Sequence, residues 1–332
     1  MPLTLEQKLL LELMRDDNRR AGLPYCPTDF WANESGAFDE VFEVAGINGV
    51  ENEFFNTRFH GLTLDDHRLY LLFLWSYYQV VLARDHLGLI GRLQSTLSDA
   101  PAQLPLVDGK PIRPGRNLDV DGKLVSLDLL VSVDDVYNLL ELNPAIANQP
   151  LVVADLGPGW GRIGYVLAQM NPRISYALLD IPASLLVSST YLPQRLPGCS
   201  VGTYRDARKI ERIDKAILRD KALWFLGTQD LQRMTEGAID LFVNVASFQE
   251  MGEDQVNSYL EVVNRVAAGG AVYLRNDWEG ARSRYANYKV PNTWRQIFLR
   301  RSRFSPACFE AGYLVDENLV TRAINGSAPS QR

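Results

Sequence analysis

The segment LVVADLGPGWGRIG, residues 151–164, decides the fold of this 332-residue chain. Its first residues are uniformly apolar, which is typical of a strand buried on both faces of a parallel sheet. Asp155 ends that strand, and Gly157, Gly159 and Gly161 follow at alternate positions. Glycine permits a positive φ and lets a ligand approach the backbone more closely than a side chain would allow. The segment therefore predicts a strand, a glycine turn and a helix that cradle a nucleotide-type cofactor.

The acidic residue at the strand end favours one class of cofactor. Gly159, Gly161 and Gly164 also form a literal GxGxxG, the pattern typical of dinucleotide sites. A dinucleotide would place its pyrophosphate on this turn, where Asp155 would repel it. S-adenosyl-L-methionine has no phosphate and carries an ammonium and a sulfonium, which a carboxylate attracts. The pattern favours S-adenosyl-L-methionine, and a tight strand-to-helix connection without a ligand is the alternative.

A second acidic strand end follows one strand-helix-strand unit later. The segment YALLDIP, residues 176–182, ends its strand at Asp180. This spacing predicts that Asp180 accepts hydrogen bonds from both ribose hydroxyls, with Ile181 also at the cofactor. Because Pro182 suits the first turn of a helix, Asp180 could instead cap that helix.

Four segments resemble the class I S-adenosylmethionine-dependent methyltransferases, and more narrowly the sugar O-methyltransferase family of polyketide and other glycoside pathways. They read VVADLGPGWGRIGYVLA, YALLDIP, ALWFLGTQDL and DLFVNVASFQEM. The resemblance extends over roughly residues 152–278. It implies a Rossmann-like α/β fold, with a mostly parallel seven-stranded sheet covered by helices on both faces.

The resemblance also implies an activity, which is transfer of a methyl group to a sugar hydroxyl. The sugar could be free, nucleotide-linked or part of a natural-product glycoside. Methylation of a non-sugar oxygen, nitrogen or carbon is the first alternative. The second is a noncatalytic protein that keeps the fold for cofactor binding or interaction.

Further cofactor contacts are expected where later strands end, because ligands bind beyond the carboxyl ends of parallel strands. After the third strand, Thr228 and Gln229 are predicted to lie near the adenine. Asp230 could bind the adenine amine or cap the following helix. Asn244 and Ser247, at the end of the fourth strand, are predicted near the sulfonium.

The candidate general base is Glu250, because a sugar hydroxyl is a poor acid and a base must lie within reach. The resemblance places Glu250 directly after the fourth strand. Gln249 stands where many plant-type O-methyltransferases have a histidine, and is predicted to contact the acceptor. Glu250 could instead be an acid favoured at a helix N-terminus. His60 is the second catalytic candidate, if the amino-terminal part folds over the cleft.

The acceptor pocket is expected after the fifth strand, at Asp277, Trp278 and Tyr285. Sugars are commonly held by carboxylate hydrogen bonds and by an aromatic face. A surface acid and two packed aromatic side chains are the alternative interpretation.

Composition limits the remaining possibilities. The net charge of −6 argues against a nucleic-acid surface, which needs clustered Lys and Arg. No window reaches the roughly 18 apolar residues of a membrane span. Three scattered cysteines predict neither disulfides nor a thiolate metal site, and no acidic or histidine cluster indicates a metal. We therefore expect a cytoplasmic enzyme without a metal that acts on a small molecule.

Two regions are predicted, a mostly helical amino-terminal cap over residues 1–125 and a cofactor-binding domain over residues 126–332. Helices are expected at about residues 3–20, 66–98 and 133–142, with a linker or lid at 99–122. Residues 69–90 are apolar on nearly every side, which predicts burial against another domain or a partner, such as a homodimer. The final residues are expected to form an antiparallel strand pair that completes the sheet.

Overall fold

The computed structural model describes residues 2–26, 39, 42–43, 46, 64–93, 118–120, 123–280 and 282–316. Its amino-terminal part begins with helix α1, Leu5–Ala21. Thr4 and Gln7 form a capping box that satisfies free N–H groups at its start. Farther along the described part of the chain, helix α2 spans Leu64–Leu82 and helix α3 spans Leu89–Arg92. Gly88, with φ +64°, separates them, so the single predicted helix over 66–98 is two helices.

A short hairpin and a buried helix lead into the main sheet. The hairpin pairs β1, Leu118–Val120, with β2, Lys123–Val125; β1 lies inside the segment predicted as a linker, and β2 follows directly after it. Helix α4 spans Leu127–Leu142 and begins six residues before the predicted start. Ser126 caps it by accepting a hydrogen bond from the Leu129 N–H.

In order, the remaining strands and helices are β3 Val152–Leu156, α5 Arg162–Met170, β4 Ser175–Asp180, α6 Pro182–Arg195, β5 Val201–Gly202, α7 Tyr204–Ala207, α8 Lys215–Arg219, β6 Leu223–Gly227, β7 Leu241–Val245, α9 Glu253–Val266, β8 Ala271–Asp277, β9 Trp294–Arg301 and β10 Cys308–Val315. From β3 to β8, most strands are connected to the next by a helix, as the sequence predicts for a doubly wound sheet, and β9 and β10 follow as a strand pair.

The main sheet has the order β5-β6-β4-β3-β7-β8-β10-β9. Strands β3 to β8 pair in parallel, and β10 pairs antiparallel with both β8 and β9. The Rossmann-like architecture and the final antiparallel pair are thus confirmed.

The predicted count of seven strands is wrong, because the main sheet has eight strands within the described residues. The additional strand is β5, which has only two residues and pairs with the start of β6. A strand this short has no alternation that could reveal it in the sequence. Gly202 makes it possible, since a Cβ there would lie 2.2 Å from the Trp224 ring.

The sheet separates two apolar layers. Val153 faces the layer that contains α4, α5 and α6, whereas Val152 and Ala154 face the layer that contains α9. All five residues of β3 are buried, as expected of a central parallel strand. The carboxyl ends of β4, β3 and β7 therefore meet side by side at one edge, where the candidate site lies.

Helix α2 is attached to this core but incompletely covered by it. Tyr77 donates a hydrogen bond to Asp134 of α4 at 3.0 Å. Leu72, Trp75 and Val80 remain 63%, 49% and 44% exposed. The described residues therefore do not supply the all-round burial that the sequence of residues 69–90 predicts.

Candidate functional site

The glycine turn after β3 has the backbone that its sequence predicts. Gly157, Gly159 and Gly161 have φ values of +73°, +60° and +90°, which residues other than glycine rarely adopt. A Cβ on Gly157 would lie 2.3 Å from Ser247 Oγ, and one on Gly161 would lie 2.9 Å from Leu178. The turn thus brings β3 against the end of β7 and starts α5 close to the sheet.

Gly164, the third glycine of the literal GxGxxG, has a packing role. It lies within α5, where a Cβ would be 2.5 Å from the Tyr176 ring. Close packing of helix on strand explains this glycine without any pyrophosphate. The third glycine of a dinucleotide site packs in the same way, so Gly164 does not distinguish the two classes of cofactor.

Asp155 lies beneath the turn and is almost completely buried, at 2% exposure. Its Oδ2 accepts a hydrogen bond from the Tyr176 hydroxyl. Its Oδ1 is buried without a partner among the residues that the structure describes. Burial raises the pKa of Asp155 to about 7, although the Tyr176 hydrogen bond and the Arg162 charge act in the opposite direction. An approaching cation would favour the ionised carboxylate.

Asp180 ends β4 beside the turn and contacts it directly. Its Oδ2 accepts a hydrogen bond from the Gly159 N–H at 3.0 Å, and its Oδ1 accepts one from the Ile181 N–H at 2.7 Å. Burial raises the pKa of Asp180 to about 8, and the negative charges of Asp155 and Glu250 add to that rise. The two predicted acids and the candidate base therefore share one electrostatic environment. Each Asp180 oxygen keeps lone-pair capacity for a further donor.

The turn after β6 is held by its own residues and by the amino-terminal segment. Thr228 donates a hydrogen bond to the Tyr25 carbonyl at 2.6 Å. Gln229 donates to the Tyr204 hydroxyl at 3.1 Å. Asp230 accepts from the Gly227 N–H at 3.0 Å and pairs with Arg233 at 2.7 Å. The sequence leaves two roles open for Asp230, binding the adenine amine or capping the following helix. These contacts are those of a capping residue.

Asn244 is a fully buried side chain that joins three strand ends. Its Nδ2 donates to the Leu156 carbonyl at 2.8 Å, and its Oδ1 accepts from Asn276 Nδ2 at 3.0 Å. Asn276 Oδ1 in turn accepts from the Gln249 N–H at 3.3 Å, and Gln249 Oε1 accepts from the Asp277 N–H at 3.0 Å. The side-chain carbonyl groups of these residues hold the edge of the sheet together. Their geometry is that of positioning residues.

The segment after β7 bends sharply toward the glycine turn. Ala246 has φ +59°, the only positive φ of a non-glycine residue in the part of the chain described. Such a conformation costs about 1–3 kcal/mol and is typical of functional sites. It places Ser247 against Gly157 and starts the 3₁₀ turn Phe248–Glu250. Glu250 is thereby brought to the same edge as Asp180.

The predicted acceptor residues lie at the end of β8. Asp277 accepts a hydrogen bond from the Cys308 thiol at 3.0 Å. The rings of Trp278 and Tyr285 are 5.4 Å apart and perpendicular, and both pack against Phe309. Tyr285 is also hydrogen bonded to Tyr313 at 2.6 Å. The structure thus brings the three residues to one strand end, with the two rings partly buried in an aromatic cluster.

Three remaining expectations from the sequence concern the second catalytic candidate, a metal and a membrane span. His60 lies outside the described residues. Within those residues, no group of three or more His, Cys, Asp or Glu side chains is arranged to hold a metal ion. The same part of the chain has no helix with the length and apolarity needed to cross a membrane.

Sequence reasoning missed the contribution of α1 to the site. Met14 and Asn18 of α1 lie beside Asp180 and Gln229 and line the same cleft. The two residues are four positions apart, so they share one face of the helix. That spacing is visible in the sequence, but nothing local indicates that this face meets a turn more than 200 residues away.

Comparison with known proteins gives similarity in structure only. No family model and no curated protein sequence matches the chain. A SAM-dependent methyltransferase from Aquifex aeolicus is similar at 13% identity, over 55% of this chain and 89% of that one, with a TM-score of 0.40. Magnesium protoporphyrin IX methyltransferase from Synechocystis PCC 6803, solved with bound SAH, matches at 13% identity over 57% and 85%, with a TM-score of 0.40. Mitomycin 7-O-methyltransferase matches at 12% identity over 56% of each chain, with a TM-score of 0.34.

Proposed function

We propose that this protein is an S-adenosyl-L-methionine-dependent O-methyltransferase. The observation that carries the proposal is the glycine turn built over Asp155, a buried carboxylate with one unpartnered oxygen. A buried acid without a full set of partners is costly unless a cation or a donor satisfies it. The amino group and sulfonium of the proposed cofactor would do so, whereas a pyrophosphate would increase the cost.

The cofactor would lie across the carboxyl ends of β3, β4 and β6. Asp155 would stabilise the positive charge of its methionine end. Asp180 already accepts two backbone N–H groups, and its remaining lone pairs would accept the ribose hydroxyls. Ile181, Thr228 and Gln229 would border the adenosine. When bound, the cofactor supplies a methyl group that its sulfonium makes electrophilic.

The chain must also take a proton from the acceptor hydroxyl. We assign the role of general base to Glu250. It lies in the 3₁₀ turn after β7, and its negative charge contributes to the raised pKa of Asp180. Positioning of the acceptor oxygen accounts for much of the acceleration in such a transfer, and the base adds to it. Asn244, Ser247 and Gln249 would fix the segment that carries Glu250.

We propose a sugar hydroxyl as the acceptor, free, nucleotide-linked or in a natural-product glycoside. The support is the resemblance of the SFQEM segment, together with a carboxylate and two aromatic rings at the end of β8. Asp277 would hydrogen bond the sugar, and Trp278 and Tyr285 would offer an aromatic face. A non-sugar small molecule is the alternative acceptor.

We also propose that the protein forms a homodimer through α2. Residues 72–83 contain no charged side chain, and four large apolar residues of this stretch, Leu72, Trp75, Val80 and Leu82, are at least 44% exposed. An uncharged apolar face can meet its own copy across a two-fold axis without repulsion between like charges. A second copy would thus supply the burial that the sequence predicts.

The proposal is tested first by binding and then by product analysis. Titration calorimetry with S-adenosylhomocysteine should give a measurable dissociation constant, and NAD should give none. Mass spectrometry should then detect a gain of one methyl group on a panel of monosaccharides, sugar nucleotides and glycosides, with phenols and carboxylates in parallel. Binding of NAD in place of the cofactor would refute the proposal. Methylation of phenols alone would refute only the sugar acceptor.

A further inference from the structure

Helix α1 covers the place where the proposed cofactor would put its adenosine. A narrow cleft separates the helix from the carboxyl ends of β4 and β6. Met14 and Asn18 form its α1 side, and Asp180, Gly227 and Gln229 are among the residues opposite. The cleft is too narrow to admit even a water molecule. An adenine ring and its ribose therefore cannot enter while α1 stays in this position.

The polar groups that border the adenosine position are covered by α1 and by the turn that follows it. Asp180 is 6% exposed and Thr228 is 3% exposed. The Thr228 hydroxyl donates a hydrogen bond to the Tyr25 carbonyl at 2.6 Å, and Asn18 Nδ2 donates to the same carbonyl at 2.8 Å. Asn18 Nδ2 also lies 3.3 Å from Gln229 Oε1. The amino-terminal segment thus occupies groups that the proposed function assigns to the cofactor.

Helix α1 is attached to the rest of the protein by a small surface. Of its 17 residues, only Leu11, Met14 and Asn18 are fully buried. Leu5 and Leu9 are 75% and 56% exposed. An element that buries few apolar side chains loses little hydrophobic stabilisation when it detaches, so it opens at a lower free energy than the core. Detachment of α1 can therefore occur while the sheet stays folded.

An ion pair at the rim of the cleft holds α1 in the closed position. Arg208 donates to Asp17 of α1 through Nε at 2.5 Å and through Nη2 at 3.1 Å. The Tyr204 hydroxyl donates to the same carboxylate at 3.0 Å. Arg208 is exposed, and it is not among the residues that line the cleft. The Asp17–Arg208 pair, here called the latch, can therefore be removed without changing a surface that the cofactor would touch.

We propose that α1 is an autoinhibitory gate, which excludes the cofactor while it is docked and must detach before adenosine can bind. This inference rests on the proposed function, because it assumes a ligand that carries adenosine. When only a fraction of the molecules is open, the apparent dissociation constant equals the intrinsic constant divided by that fraction. A change that favours detachment of α1 should therefore tighten binding.

The first test measures the dissociation constant of S-adenosylhomocysteine by titration calorimetry on latch variants. Arg208→Ala should bind about two- to fivefold more tightly than wild type, as expected for loss of one exposed ion pair that favours the closed state. Arg208→Lys keeps the charge and should stay close to wild type. Arg205→Ala removes a neighbouring exposed arginine and is the matched control. Loss of a merely structural contact would weaken binding or leave it unchanged, and either result for Arg208→Ala would overturn the gate.

The second test follows α1 directly by hydrogen exchange and mass spectrometry. Saturating S-adenosylhomocysteine should increase amide exchange in peptides from residues 5–21, because the bound ligand holds the helix off its docking surface. Peptides that contain β3 and β4 should instead be protected. Binding with protected or unchanged α1 would overturn the gate and leave the proposed cofactor standing. If neither wild type nor Arg208→Ala binds the ligand, the proposed function fails and the gate with it, whereas binding by Arg208→Ala alone would support both.

Discussion

The substitution Asp180→Asn should make the ligand-free protein progressively more stable than wild type as the pH rises. Burial raises the pKa of Asp180 from its ordinary value of 3.8 to about 8. The folded state therefore binds a proton that the unfolded state releases above pH 4. This contribution to stability is present below pH 4 and is lost as the pH rises toward 8. Asparagine has no proton to lose and is free of that dependence.

The magnitude follows from the linkage of one proton. Over the window between the unfolded and folded pKa values, one group contributes about 1.4 kcal/mol per pH unit. Between pH 5 and pH 7, the free energy of unfolding of Asp180→Asn should therefore rise by about 3 kcal/mol relative to wild type. Asparagine has one carbonyl for the two N–H groups that Asp180 accepts, and this loss of about 1 kcal/mol is independent of pH.

Urea denaturation at pH 5, 6 and 7, followed by circular dichroism, measures the difference directly. Asp254→Asn removes a carboxylate from the exposed first turn of α9 and controls for the loss of charge. Its stability should run parallel to that of wild type over the same range. Parallel curves for Asp180→Asn and wild type would refute the claim that Asp180 is a buried, protonated acid.

Three further predictions concern the base, the turn and the dimer. Glu250→Gln should abolish methyl transfer while leaving the dissociation constant of S-adenosylhomocysteine within about twofold of wild type, since only proton removal is affected. Retained turnover would remove Glu250 from the mechanism. Glu261→Gln, on the exposed side of α9, is the control. Gly157→Ala should cost about 1–3 kcal/mol in urea denaturation and weaken cofactor binding, because it adds both a clash and a strained φ. Adding Ser247→Gly should recover the part due to the clash, and no recovery would show that strain alone acts. Trp75→Glu should halve the mass measured by light scattering, and a mass unchanged from wild type would exclude this face as the interface.

The sequence predicted the elements whose signals are local. The apolar run of β3, the glycines after it and the acids at Asp155 and Asp180 each carry their information within about ten residues. The parallel core, the glycine backbone and the final antiparallel pair were therefore predictable. The two-residue β5 was missed because it owes its place to Gly202 and a ring from another strand, not to a pattern of its own.

The candidate site was only partly predictable for the same reason. Because ligands bind beyond the carboxyl ends of parallel strands, the sequence placed Asn244, Gln249 and Asp277 at the correct edge of the sheet. It could not reveal that the side-chain amides of Asn244 and Gln249 are hydrogen bonded to backbone groups. The sequence of helix α1 indicates only an ordinary amphipathic helix. Its contacts cannot be predicted from it, because the contacting residues are distant in the chain. The contribution of Asn18 depends on tertiary packing, which no local spacing encodes.

The long sequence separation between α1 and the turn it contacts also bears on how the protein is made. Asn18 and Gln229 are 211 residues apart, and Asp17 and Arg208 are 191 apart. Chains emerge from the ribosome amino terminus first, so α1 leaves the exit tunnel well before its docking surface is synthesised. Helix α1 therefore cannot dock until most of the sheet has formed, and Met14 remains exposed to chaperones until then. A helix translated well before its partners is thus among the last to reach its place.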